Sequence, residues 1–547
     1  MTSRLAERDV SLPERHPHEG DPDRARTWAL WLFAAVEAAA FVYYLALSRR
    51  EWFFADEWEF LSGRGLGVHD LLRSHYGHLT ALPILVYRVM WWAVGVRSYL
   101  PYAALTIGLH LIAAALLRLV MRRSGVRPWI STAVAGAFVC FGPGAQDVLW
   151  AFQIAFSGAL VLGLADLLLI DHGGPVDHRD WLGLVAGTLA LMCSGVAITM
   201  VIVVGIAALL RRGWHIALLH TAPLGALYVV WSARYSSGHH SFVGTARQVT
   251  DWVATGIGTV LGELGRVPGA GWLLGVALVS GLALVIHASG WRRLREQLAT
   301  PVALLLGAVV FFVITGIDRS GLGITFVRSG RYMHIAAALV LPAIAVAVET
   351  LFGRSRMFGV VALAVLLVGV PGNLGKAHDY VDGFLVRNQW AYRQMMLSVA
   401  RAPLAATAPA SLRPEPGTAP TVTLGWLRAG VASGRVPKTR RSTPLEDRTN
   451  QLRLSLMELD QPSGLPCHAL AAPVVRTFAV GDRIGLVGTV RIVLLGNKGG
   501  SRSSPVPFGA ALLNPTLVHT LVVVAAPLRL SIAPLGRRGA ALCVPAG

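Results

Sequence analysis

The sequence predicts a mainly α protein. It is a polytopic bundle of about eleven transmembrane helices, with interfacial helices in the first outer loop and a small β-rich C-terminal extracytoplasmic domain. Three observations predict this. Of 547 residues, 54% are hydrophobic and only 14% are charged, against roughly 25% charged in soluble globular chains; mean hydropathy is +0.55. The apolar residues gather in runs of about 20, the length a helix needs to cross a bilayer. Beyond residue 420 the runs become short and β-branched, with Gly and Pro between them.

The elements follow in order. Residues 1–26 form a charged leader, too long and too acidic for a secretory n-region, so the first span reads as a retained anchor. Apolar runs at 28–48, 99–121, 129–146, 149–170, 181–194, 196–211, 214–233, 268–289, 300–317, 332–352 and 357–374 read as spans. The fifth and sixth are short, and "CSGVA" (193–197) leaves open one broken helix in place of two. With the N-terminus inside, "MRRSGVR" (121–127), "DHGGPVDHRD" (171–180), "RRGWH" (211–215), "SGWRRLREQ" (289–297) and "GRSR" (353–356) fall on the cytoplasmic side, and four of these five are basic, as the positive-inside rule asks. That orientation puts the 51–98 loop and the C-terminal region outside, in a plasma (inner) membrane protein. The net charge of +19 is spread over such loops, so it does not indicate nucleic acid.

Three segments read as interfacial helices: 67–79, 82–95 and 243–267. Residues 376–400 read as an amphipathic surface helix, and the Pro, Ala and Thr-rich 402–420 as a linker. The rest, 421–547, reads as a β-rich domain, in which Cys467 and Cys543 could pair if it lies outside the cytoplasm.

Four stretches could carry chemistry. "FFADEWEFLSGRG" (53–65) puts Asp56, Glu57 and Glu59 among aromatics at a membrane edge, where acidic groups are costly. Asp56 there suits a general base, or an oxygen ligand to a divalent cation. His75 and His78 of "RSHYGHL" lie in the same loop, as substrate contacts or as satisfied interfacial histidines. "FGPGAQDVLWAFQIAF" (141–156) breaks at Gly-Pro-Gly, then sets Asp147, Trp150 and Gln153 on neighbouring turns of one helix, facing a polar cavity or merely following a tight turn. "DRSGLGITFVRSGRYMH" (318–334) brings Arg328, Arg331 and Tyr332 to the outer face, where arginine can grip phosphate or snorkel to headgroups. In the fourth, His239 and His240 are adjacent, poor spacing for a metal.

An acidic motif in a long first outer loop, ten to thirteen spans and an outer C-terminal domain together resemble the C-type (GT-C) glycosyltransferases. The runs "GHLTALPILVYRVMWWAVGVRSYLPY" (77–102) and "LWAFQIAF" (149–156) also resemble actinobacterial membrane proteins described as glycosyltransferase-like. The resemblance covers about residues 28–375. It implies a polyprenyl-phosphate sugar as donor, a cell-envelope glycan or lipid as acceptor, and membrane lipid around both. It implies Asp56 as base with Glu57 beside it, and Arg331 on the donor phosphate. The first loop holds no Asp-x-Asp pair, so magnesium or manganese stays open as a cofactor. The rival readings are a lipid or oligosaccharide transporter, disfavoured by the absence of a sequence repeat, and a non-catalytic scaffold that binds wall polymer.

Overall fold

The computed structural model describes residues 22–236, 243–438, 444–459, 464–488, 490–495, 519–534 and 540–545. Most of the leader, His239 and His240 lie outside the described residues. The molecule is mainly helical. Among the described residues, eight helices are long and apolar enough to cross a membrane. Pro128–Val139, His178–Leu191 and Val196–Arg212 are apolar but shorter.

Gly330–Arg354 is the hub. It is apolar on every side from Tyr332 to Val348, and every one of those residues is buried, as expected of a helix with no polar face. Ala270–Arg293, Ala299–Arg319, Leu100–Arg123, Pro128–Val139 and Arg356–Leu367 all pack on it. Its many alanines allow close approach, and Gly281 completes one such crossing: a Cβ there would come within 2.6 Å of the Ala347 Cα.

The break at "CSGVA" is a turn between two helices. The Asp177 side chain caps His178–Leu191 in a reciprocal box with Asp180. Asp180, at the start of that helix, ion-pairs with Arg212, at the end of Val196–Arg212. The two helices are therefore an antiparallel hairpin.

One end of the bundle carries such ion pairs: Arg127 with Glu349 and Arg211 with Asp171, as well as Arg212 with Asp180. The other end carries the irregular backbone. There Ala81–Ala93 and Ala246–Gly265 are helices, in two of the segments the sequence reads as interfacial. The 67–79 segment is only partly helical, at Val68–Leu72.

Residues 402–420 do not form a linker. Ala402, Ala405, Ala408, Leu412 and Ala419 are buried in the main core, and small residues let this mostly irregular chain, with one short 3-10 turn at Pro403–Ala406, pack flat. The expected surface helix is two, Val370–Val381 and Phe384–Val399, with Met396, Leu397 and Val399 buried. Strands begin later than 421, after two further helices, Leu424–Ala432 and Pro444–Ser455. The ring of Trp426 stacks on Trp91 at 4.5 Å. Gly95 (φ +63°) lets the Arg435 carbonyl approach where a Cβ would stand, and Val96 N–H donates to that carbonyl.

Among the described residues the β region has eight strands: β1 Leu456–Leu459, β2 Cys467–Ala469, β3 Val474–Phe478, β4 Arg483–Val487, β5 Val490–Leu494, β6 His519–Val523, β7 Leu528–Pro534 and β8 Ala541–Cys543. They form an antiparallel five-stranded sheet, β1-β6-β4-β8-β2, and a three-stranded one, β3-β7-β5. Both sheets feed one apolar core, which the period-two burial of β5 and β7 makes possible. Cys467 and Cys543 stand opposite one another on β2 and β8 and are disulfide-bonded.

Gly281→Ala is expected to push two helices apart and destabilise the protein by about 1–3 kcal/mol. Thermal unfolding in detergent measures it.

Candidate functional site

The first loop is built around a buried carboxylate. Glu57 is fully buried and accepts four hydrogen bonds: Phe54 N–H at 2.8 Å, Tyr87 Oη–H at 2.8 Å, Tyr99 Oη–H at 3.2 Å and Trp150 Nε1–H at 3.2 Å. These donors come from the loop, from Ala81–Ala93, from the start of the next long helix and from the 142–153 segment, so one side chain fixes four pieces of chain. Burial pushes the Glu57 carboxyl up to about 8 even so. Glu57 therefore sits inside a cage of donors.

Its neighbour faces the opposite way. Asp56 is half-buried, makes no side-chain hydrogen bond among the described residues, and lines a cleft of about 520 Å³. Ala55, before it, holds φ +50°, and Tyr76 across the cleft holds φ +47°. Backbone of this kind costs of order 1–3 kcal/mol per residue and gathers at functional sites. At Ala55 it sets the start of the Asp56–Trp58 helical turn, on which the successive side chains of Asp56 and Glu57 point different ways.

The cleft walls are polar. Arg64, itself buried, donates to the Glu59 carboxylate and to the carbonyls of Asp70, Arg73 and Ser74, tying 64–74 into a loop. Arg73 reaches the same Glu59 oxygen at 3.0 Å. His75 and His78 exchange backbone hydrogen bonds at 2.9 Å. His75 lines the cleft, and burial, aided by Arg64, lowers it to about 3, so its ring is neutral near pH 7. His78 packs against Gly195 instead. Tyr235 and the Gly417–Pro420 coil complete the wall.

Arg331 lies near enough for its charge to act on Asp56. Burial raises the Asp56 carboxyl, Arg331 opposes that rise, and Glu59 adds to it. The Arg331 Nε is buried without a partner, and its guanidinium sits 5.5 Å from the Tyr332 ring centre.

The remaining expected residues separate. Asp147, Trp150 and Gln153 do not share one helix: Trp150 is extended and divides Ala145–Leu149 from Ala151–Gln153. Gln153 is buried, with both its amide atoms unpartnered. Asp147 is buried against His334, with Oδ2 to Nδ1 at 3.0 Å. Arg328 lines a second cavity, of about 410 Å³, with Gln146, Glu263, Lys376 and Asp379. Tyr332 packs edge-on to Phe311. The sequence reading passed over Glu59 and Arg64 as wall residues, and His110 and His334 altogether. A lone polar residue in an apolar run, such as His110 in "IGLHLIA", was the available signal.

Among the described residues, His172, Asp177 and Asp180 have the spacing of a cation site. They lie at the far end of the bundle, and Arg179 and Arg212 already pair with the two carboxylates. No family model matches the chain, and neither a curated protein nor a solved structure matches it.

Glu51 gives a pH prediction. Both its carboxyl oxygens are buried and unpartnered, and burial, then Glu57, push it from 4.5 to about 8. Within that window the folded protein holds a proton that the unfolded chain has released, so stability falls as pH rises. The slope for one proton is at most about 1.4 kcal/mol per pH unit. Glu51→Gln is expected to flatten that part of the stability–pH curve and to stabilise the protein at its alkaline end. Melting midpoints in detergent across the window check this.

Proposed function

We propose that this protein is a membrane glycosyltransferase that moves a sugar from a polyprenyl-phosphate donor to a cell-envelope acceptor outside the cytoplasm. One observation carries the reading. The unbonded Asp56 carboxyl lines a cleft within electrostatic reach of Arg331, far away along the chain, at the irregular end of an apolar helix bundle.

The topology proposed is eleven spans, the eight long helices plus Pro128–Val139, His178–Leu191 and Val196–Arg212. The far end, with Arg122, Arg123, Arg127, Arg211 and Arg212, is then cytoplasmic. The cleft and the β region are outside. The Cys467–Cys543 disulfide supports that side, because such bonds persist in oxidising compartments.

The chemistry follows from the groups present. Asp56 accepts the proton of an acceptor hydroxyl as its oxygen forms a bond to the anomeric carbon. The bond from that carbon to the phosphate oxygen breaks, and Arg331 offsets the charge that develops on the leaving phosphate. Burial favours a protonatable Asp56, and Arg331 keeps that rise in check. Neutral His75 is a hydrogen-bonding group for sugar hydroxyls. The Ala81–Ala93 helix, with Trp92 exposed on it, suits a lipid chain entering from the side.

Asp56→Asn is expected to lower transfer at least about 100-fold at normal protein level. The assay uses membranes supplied with a panel of polyprenyl-phosphate sugars. Unchanged transfer would favour the scaffold reading. Arg331→Gln is expected to lower kcat more than it raises KM, since it acts on charge that develops late. Steady-state kinetics separate the two.

A further inference from the structure

Behind the cleft, three buried groups form a chain that the proposed reaction does not use. His334 Nδ1 lies 3.0 Å from Asp147 Oδ2, His334 Nε2 lies 3.0 Å from His110 Nδ1, and His110 Nε2 lies 3.1 Å from the Val139 carbonyl oxygen. All three side chains are fully buried. Phe138 stacks on His334, nearly parallel at 5.1 Å. Gly144 leaves room for the ring: a Cβ there would come within 2.8 Å of it.

The direction of this chain is fixed by its end. A carbonyl only accepts, so His110 carries its proton on Nε2 and offers a lone pair at Nδ1. His334 must then donate from Nε2. Between His334 Nδ1 and Asp147 there is room for one proton. With none, a carboxylate faces a lone pair and a net negative charge is buried. With two, a net positive charge is buried. With one, shared in either sense, the unit is neutral overall, as a buried site requires.

Arg331 and His334 are three residues apart on one helix and share a face. The Arg331 charge acts on Asp147 as well as on Asp56. An Asp147 carboxylate without His334 is therefore a competitor for that guanidinium. Tyr380 and Tyr44 are the other titratable groups against the unit. Tyr380 feels the Asp147 charge, and Tyr44 packs edge-on to His110 and donates to the same Val139 carbonyl.

We propose that His110, His334 and Asp147 are positioning residues: a directed relay that keeps one proton on the Asp147–His334 pair, so that Arg331 faces Asp56 and not Asp147. The role given to Arg331 at the cleft rests on the glycosyltransferase reading; the proton count does not.

Two measurements test this without any transfer assay. In liposomes, nitrogen-15 spectra of histidine-labelled protein identify the pair by the nitrogen-to-nitrogen coupling of a His–His hydrogen bond. The expected pattern is His110 protonated at Nε2 and bare at Nδ1 from about pH 5 to 8, the range in which a free histidine changes charge. His110 protonated at Nδ1 overturns the relay, and this result needs no variant. Dicyclohexylcarbodiimide, which attacks protonated carboxyls, is then titrated against Asp56 and read by mass spectrometry. In His334→Asn the labelling midpoint is expected to rise by about 1–3 pH units, the usual effect of losing an adjacent arginine. It is expected to return in the Asp147→Asn/His334→Asn double variant. A folded His334→Asn with an unmoved midpoint, or a rise that persists in the double variant, overturns the role of Arg331. Loss of the transfer reading with both results as expected leaves the relay standing.

Discussion

A carboxylate removed from water needs donors, and the supply of donors to Glu57 organises the whole upper end of this molecule. Two tyrosines, a tryptophan and a backbone amide converge on it from four separate segments. A buried carboxyl that loses a hydrogen-bond partner costs about 1–3 kcal/mol, so these segments are held to one another. The result is a rigid floor. The cleft, the positive-φ residues beside it and the aromatic packing of Trp52, Phe53 and Trp58 all build outward from that point.

The two ends of the bundle handle charge differently. At the far end, arginines and aspartates pair directly, as Arg211 does with Asp171, and the groups are consumed in holding helices together. At the near end, Glu59 also pairs with Arg64 and Arg73, but Asp56 is left open within reach of the Arg331 charge. Unpaired charge next to unusual backbone has a desolvation and strain cost that packing alone does not explain. That contrast locates the site more firmly than any one residue does.

Much of the architecture was legible in the sequence because hydropathy is a one-dimensional signal. The long apolar runs, the helix at 81–93, the capped helix at 246–265 and the late strands each have a local pattern of their own. Asp56 was legible for the same reason, as an acid where acids are costly. What could not be read depends on contacts between distant segments. Asp56 and Glu57 look alike in a string, and only the distant segments packed around their helical turn give them different surroundings. His334 lay within a quoted stretch, but its value comes from His110, 224 positions away. The 402–420 coil has the composition of a linker, and only the core it meets makes it a wall.

That coil has an evolutionary consequence. Ser62, under the cleft, touches Thr421 across 359 positions of sequence, and Gly417, Thr418 and Pro420 border the opening that Asp56 serves. The rim and Asp56 thus belong to portions of chain that can mutate separately. Insertions or exchanges near 417–420 can recut the mouth of the cleft and leave the acid beneath it untouched.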